Sequence, residues 1–219
     1  MERWVSKTAV VTGASSGIGA AIALKLANEG LTVFGLARRV ENEALRKVKH
    51  PKGVIHGVKF DVTDVAAVPA LFADIKKRYG GVDVLVNNAG IFRSEFRVCE
   101  SSTKDFQDVI NTNLLAMAVF SKEAITSMRD RKFAGHVFNI NSVAGHKVIV
   151  DDKINLNIYF ATKHAVTALT ETLRLEMSIL GTNIKVTVST EPFCIEFAYH
   201  HDNLSSSLGV PVPRRTKVI

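Results

Sequence analysis

A chain of 219 residues fits one domain, since a single α/β core runs to roughly 250 residues, and its 47% apolar content is ample for a buried core. The formal net charge of +7 fits either an anionic partner, such as a phosphate-rich cofactor, nucleic acid or a membrane surface, or a solvated, mildly basic surface; the charges are scattered and no nucleic-acid motif accompanies them, so nucleic acid is not an expected partner. No window reaches the roughly 18 consecutive apolar residues of a membrane span, Met1 to Lys7 lacks a signal-peptide run, and Cys99 and Cys194 match no metal spacing, so a reduced, cytoplasmic, metal-free protein is expected.

Val- and Ile-rich runs alternate with longer segments of helical period. Thr8 to Thr12 reads as a buried strand, Gly17 to Glu29 as a helix stopped by Gly30, and Leu31 to Leu36 as a second strand. Val54 to Phe60 is a third strand, Val65 to Tyr79 a helix ended by Gly80-Gly81, and Val84 to Asn87 a fourth strand. Thr103 to Arg131 reads as one long helix with apolar residues at Phe106, Val109, Ile110, Leu114 and Met117. Val137 to Asn141 is a fifth strand, Ile158 to Leu180 a helix followed by Gly181, and Ile184 to Val188 a sixth strand. Such alternation predicts a doubly wound α/β fold of about six parallel strands with helices on both faces. Residues 1–188 are read as this one domain and 189–219 as an irregular tail, because Pro192, Pro211, Pro213 and Ser205 to Ser207 break any further pattern.

Ligands of these sheets sit beyond the carboxyl ends of the strands, and every candidate group falls there. The first strand runs into Thr12-Gly13-Ala14-Ser15-Ser16-Gly17-Ile18-Gly19. Glycines allow a sharp turn and close approach of a pyrophosphate, and the helix that follows presents free N–H groups to the anion. The second strand ends at Arg38-Arg39, where an acidic residue would bind a ribose hydroxyl; the next acid is Glu41. Arginine pairs instead with the 2′-phosphate, so NADP(H) is preferred, with NAD(H) possible. The third strand ends before Asp61-Val62, and the fourth closes on Asn87-Asn88-Ala89-Gly90. Tyr159 and Lys163 are four residues apart and so share a helix face. Ser142 follows the fifth strand, and Asn113 lies in the preceding long helix, in Asn111-Thr112-Asn113-Leu114.

These motifs, over residues 5 to about 188, resemble the short-chain dehydrogenase/reductase family, whose Thr-Gly-x3-Gly-Ile-Gly turn and Asn-Ser-Tyr-Lys tetrad they match in order and context. The stretch Ala161 to Glu171 and the start Met1-Glu2-Arg3-Trp4 are similar to the branch holding dehydrogenase/reductase family member 11 and the insect farnesol dehydrogenase-like enzymes. The resemblance implies a Rossmann-type fold and catalysis by Asn113, Ser142, Tyr159 and Lys163. It implies cofactor contacts from Gly13, Ser15, Ser16, Gly17, Ile18, Gly19, Arg38, Arg39, Asp61, Val62, Asn88, Ala89, Gly90, Tyr159 and Lys163. Asp61 and Val62 would meet the adenine, and the Asn-Asn-Ala-Gly string would steady the sheet and line the adenosine ribose. Lys163 would also bind the nicotinamide ribose, and Asn113 would hold a water linking Lys163 to solvent, with Asn111 the second choice.

The implied chemistry follows from charge. Hydride transfer builds negative charge on a carbonyl oxygen, which a tyrosine hydroxyl can protonate, although its free pKa of about 10 is poorly matched to neutral pH. An ammonium at Lys163 and a positive nicotinamide favour tyrosinate, so Tyr159 serves as acid in reduction and base in oxidation, while Ser142 holds the oxygen. The expected substrate is a small apolar alcohol or carbonyl compound such as a terpenoid like farnesol, a steroid or a retinoid. The pattern departs after the sixth strand: Ser189-Thr190-Glu191-Pro192-Phe193-Cys194 lacks the family's Pro-Gly pair and the Thr beyond it. A last helix and seventh strand are missing from the reading, which makes a truncated C-terminus an expectation, with a weakened homo-oligomer contact and a wetter pocket. A cofactor-binding protein without turnover is the alternative. The long excursion from His146 to Tyr159, with Asp151-Asp152-Lys153 inside, is expected to loop over the pocket.

Overall fold

A computed structural model describes residues 2–39, 47–92, 97–149 and 156–191. The expectations for residues 192–219 and for Asp151-Asp152-Lys153 lie outside the described residues. Among the described residues six parallel strands form one sheet: β1 (Thr8–Thr12), β2 (Thr32–Ala37), β3 (Val54–Lys59), β4 (Val84–Asn87), β5 (His136–Ser142) and β6 (Lys185–Glu191). Their order is β3-β2-β1-β4-β5-β6. Order reverses between β1 and β4, which opens a crevice at their carboxyl ends.

The central strand β1 is buried at every position, and its side chains alternate between two cores. Val10 joins Phe72, Ile75, Phe120, Met128 and Val137 under helices α2 (Val68–Tyr79), α4 (Ala116–Asp130) and α5 (Ile158–Ile179). Ala9 and Val11 pack instead with Ala23, Ala27 and Leu31 under α1 (Gly17–Asn28). A strand buried on both faces needs a continuous apolar run, and Ala9-Val10-Val11 supplies it.

Most element ends shift by one residue from the sequence reading, and three places differ by more. Residues 65–67 form a turn, because the Asp64 carboxylate accepts the Ala67 N–H at 3.3 Å, and α2 starts only at Val68, with Pro69 in its first turn. The segment read as one helix from Thr103 is α3 (Thr103–Ile110), a π-helical turn at Asn111–Leu115, and then α4. Strand β6 continues through Glu191, because Ser189, Thr190 and Glu191 pair in register with Ile140, Asn141 and Ser142. This backbone pairing carries the sheet three residues past the boundary placed at 188.

His136, the first residue of β5, stacks on Phe138 and shares a 2.8 Å hydrogen bond with Thr187. Burial, then the positive charges of Lys185 and Arg3, lower its pKa from 6.5 to about 4. The unfolded chain therefore takes up a proton first as pH falls. This contribution is fully present above pH 6.5 and is lost as pH drops through about 4. Melting temperature is expected to decline across that window less steeply in His136→Gln than in the parent chain. Identical slopes would show that another group titrates.

Candidate active site

The glycine turn leads from β1 into α1. Gly13 and Gly17 hold φ of +67° and +53°, in the left-handed region that favours glycine. A Cβ at Gly19 would collide with the Gly13 carbonyl oxygen and Asn88 Nδ2, so the chain closes on itself only without a side chain there. Ser16 caps α1 without a side-chain hydrogen bond, and the first helical turn has no acidic residue. The N–H groups of that turn thus retain their attraction for an anion. Ser16 and Gly17 are exposed, and Ser15 and Ile18 are half-buried.

Thr12 and Asn88 lock this turn. Asn88 Nδ2 donates to the carbonyls of Thr12 (2.9 Å) and Gly13 (3.2 Å), so both amide protons serve the main chain. Thr12 Oγ1 accepts from the N–H groups of Asn88 (2.9 Å) and Ala89 (3.0 Å). The sequence reading gave Thr12 no role; its signal was a hydroxyl at the exit of a strand into a glycine turn. Thr12, Val62, Asn87, Ala89, Thr112 and Met117 line one small cleft at the crevice. Gly90 follows, exposed.

Arg38 and Arg39 lie exposed just past β2, and Asp61 just past β3. Asp61 Oδ1 accepts from the Thr63 N–H (3.0 Å) and hydroxyl (2.7 Å). These bonds first, and the Arg38 charge in addition, hold the Asp61 carboxyl below its usual range. Arg38 and Asp61 are therefore electrostatic neighbours at the edge of the crevice.

Tyr159 and Lys163 sit in the first turns of α5, both buried. The Lys163 ammonium lies 5.6 Å from the Tyr159 ring centroid and donates to the Ile140 carbonyl at 3.0 Å. Ile140 is two residues before Ser142, the last residue of β5, so the amine joins the tyrosine helix to the serine strand. Ser142 Oγ accepts from the Ala144 N–H at 3.2 Å, capping the short turn Val143–Gly145. The Tyr159 ring meets Phe92 edge-on at 6.1 Å and packs in a cluster with Ala144, Leu156 and Phe160, bordered by Ile149. One wall beside the phenol is therefore apolar.

Asn113 is buried inside the π-helical turn. Its Oδ1 accepts from the Ile91 N–H (2.8 Å), and its Nδ2 donates to the Ile91 carbonyl (2.8 Å) and to Thr162 Oγ1 (3.2 Å). Both amide protons are engaged, so a water at this residue would bind through an oxygen. Extra-wide helical turns of this kind occur frequently at functional sites. Asn111 is not buried and its carbonyl accepts from the Ala116 N–H. Asn157, at φ +38°, caps α5 two residues before Tyr159 and donates to Ser101 Oγ at 3.1 Å. Sequence reasoning missed Phe92, Thr162 and Asn157, whose partners are remote in the chain.

A family model for short chain dehydrogenases matches residues 7–196. The chain is 47% identical over 190 residues to the farnesol dehydrogenase of Aedes aegypti, covering 85% of this chain and 77% of that protein. It is 40% identical over 193 residues to dehydrogenase/reductase SDR family member 11 of Mus musculus, covering 85% and 73%. The fold aligns with a metagenomic short-chain oxidoreductase solved in complex with NADP, at a TM-score of 0.75 and 31% identity over 85% of this chain and 81% of that one. It aligns equally with a short chain dehydrogenase/reductase from Burkholderia phymatum in complex with NAD, at a TM-score of 0.76 and 31% identity over 87% and 66%.

Proposed function

This chain belongs to the short-chain dehydrogenase family, and on that premise we propose that it interconverts a small apolar alcohol and its carbonyl compound with NADP(H). One observation carries the reading: the Lys163 ammonium stands between the Tyr159 ring and the strand end that bears Ser142. The glycine turn, whose Ser16 side chain leaves the helix N–H groups unbonded, suits a pyrophosphate, and Val62 and Ala89 beside it support contacts with the adenosine half. When bound, the nicotinamide supplies or accepts the hydride. Ser142 Oγ–H, which has no acceptor among the described residues, donates to the substrate oxygen. The Tyr159 hydroxyl gives that oxygen its proton in reduction and takes it back in oxidation. The Lys163 charge favours the tyrosinate left behind, and Asn113, pinned to Ile91 and Thr162, holds the water through which the proton is replaced.

The apolar wall of Phe92, Ala144, Leu156 and Phe160, and the likeness to a farnesol dehydrogenase, support a terpenoid, steroid or retinoid substrate. A reduced cytoplasmic setting accords with the cysteine usage. Relatives hold NADP or NAD; Arg38 and Arg39 after β2 support NADP. Arg38→Ala is expected to weaken NADPH by about tenfold, as for a lost charged hydrogen bond, and NADH far less. Equal weakening of both in a binding titration would remove the basis for the cofactor choice. The purified chain should consume NADPH, followed by absorbance, with at least one member of a panel of apolar aldehydes and ketones. Tight NADPH binding with no consumption across the panel would overturn the reading.

A further inference from the structure

Tyr159 and Lys163 ride on α5, whereas Ser142 ends β5. Their mutual geometry therefore depends on how α5 is held against that strand end. Three asparagine amides reach α5 from neighbouring elements, and each donates to a threonine hydroxyl. Asn113 holds Thr162 at 3.2 Å, Asn141 holds Thr167 at 2.9 Å, and Asn139 holds Thr170 at 2.9 Å. The last continues through Asn87, which donates to Asn139 Oδ1 and to Ser121 Oγ at 2.9 Å each, and so ties sheet to helices deep in the core.

The middle tether attaches at the reacting groups. Asn141 directly precedes Ser142 and is fully buried. Thr167 Oγ1, one helical turn beyond Lys163, accepts from Asn141 and donates onward to the Gly145 carbonyl at 3.1 Å. One hydroxyl thus grips the residue before Ser142 and the turn after it. The contact is close: a Cβ on Gly145 would meet Asn141 Nδ2 at 2.5 Å and the Lys163 carbonyl oxygen at 2.6 Å. Asn141 Oδ1 has no hydrogen-bond partner among the described residues, so Thr167 is what orients this amide.

We propose that Thr167, acting with Asn141, is a positioning residue that fixes Ser142 against Tyr159 and Lys163. The proposal rests on the catalytic reading above. Both functions need a hydroxyl, which accepts on one side and donates on the other. Valine has the same shape and does neither; serine does both.

The test compares Thr167→Val and Thr167→Ser in the full chain, with kcat and KM for an apolar aldehyde and a separate NADPH titration. Thr167→Val is expected to lower kcat by about tenfold to a hundredfold, the cost of a small misplacement of reacting groups. NADPH affinity should stay within about threefold, and Thr167→Ser should recover kcat to within about threefold. Because valine strands the Asn141 amide in the core, a second variant, Thr167→Val with Asn141→Leu, removes that amide as well. A recovered melting temperature with kcat still low supports positioning; recovery of both overturns it, as does an unchanged kcat in Thr167→Val. If the parent chain binds NADPH without turnover, the catalytic reading fails by itself. The tether is then read from tyrosinate absorbance of Tyr159, taken as the difference from Tyr159→Phe. A midpoint moved by Thr167→Val supports the tether, and an unmoved one overturns it.

Discussion

Tyr159→Phe is expected to lower kcat for carbonyl reduction by about a hundredfold to ten-thousandfold, the range for losing a general acid, while NADPH affinity changes by no more than about threefold. The substitution removes one oxygen and keeps the ring. That ring packs on Phe92 edge-on and on Ala144, Leu156 and Phe160, contacts that phenylalanine reproduces. Lys163 has its own bond to the Ile140 carbonyl and does not need the phenol to stay in place. The glycine turn lies on other elements, β1 and α1. The proton donor is lost, and at a residue 5% exposed, bulk water is a poor substitute. Steady-state kinetics beside a binding titration separate the two effects. Turnover retained in the variant would refute the acid-base role.

The second large effect concerns the opposite end of the sheet. Asp83→Ala is expected to cost about 3–5 kcal/mol of stability, as for a buried pair broken from one side, and to lower the melting temperature by roughly 10 °C. Asp83 Oδ1 meets Arg131 Nη1 at 2.6 Å, with the Asp83 side chain 6% exposed and that of Arg131 25% exposed. Asp83 Oδ2 accepts from the Thr8 N–H at 2.9 Å, at the start of β1. Arg131 also donates to the carbonyls of Ser127, at 2.9 Å, and Val82. The carboxylate therefore ties the end of α4 to the first residue of the central strand. Its removal leaves a guanidinium and a buried N–H without their partner. Thermal unfolding measures the loss; a fall of only about a degree or two would mean that the pair sits in effective contact with water. Turnover per folded molecule should be unchanged, since this end lies away from the crevice.

The parts of the fold carried by local signals were legible. The runs Thr8–Thr12 and Val84–Asn87 match their strands residue for residue, because a buried parallel strand needs an unbroken apolar run and both runs end in a polar residue. The Tyr159–Lys163 spacing places both groups on one face of α5. The π-helical turn was hidden. Val109 and Met117 are buried as the apolar period suggests, but Ile110 is exposed and an inward position between Val109 and Met117 belongs to Asn113. What stabilises that choice is remote: Ile91 and Thr162 bond the Asn113 amide across the fold. The end of β6 was hidden for a related reason. Ser189, Thr190 and Glu191 carry no apolar pattern, and only the register with β5 makes them strand. Asparagine–threonine pairs such as Asn139 with Thr170 are likewise distant in sequence, and neither residue type announces its partner.

Isotope transfer tests the central claim most directly. The purified chain is incubated with NADPH deuterated at the transferable position and an apolar aldehyde of the terpenoid class, and the alcohol is weighed by mass spectrometry. One deuterium, transferred as deuteride, should appear on the carbinol carbon with the parent chain and fall to background with Tyr159→Phe. No labelled alcohol from the parent chain, with NADPH shown to be bound, would contradict the account.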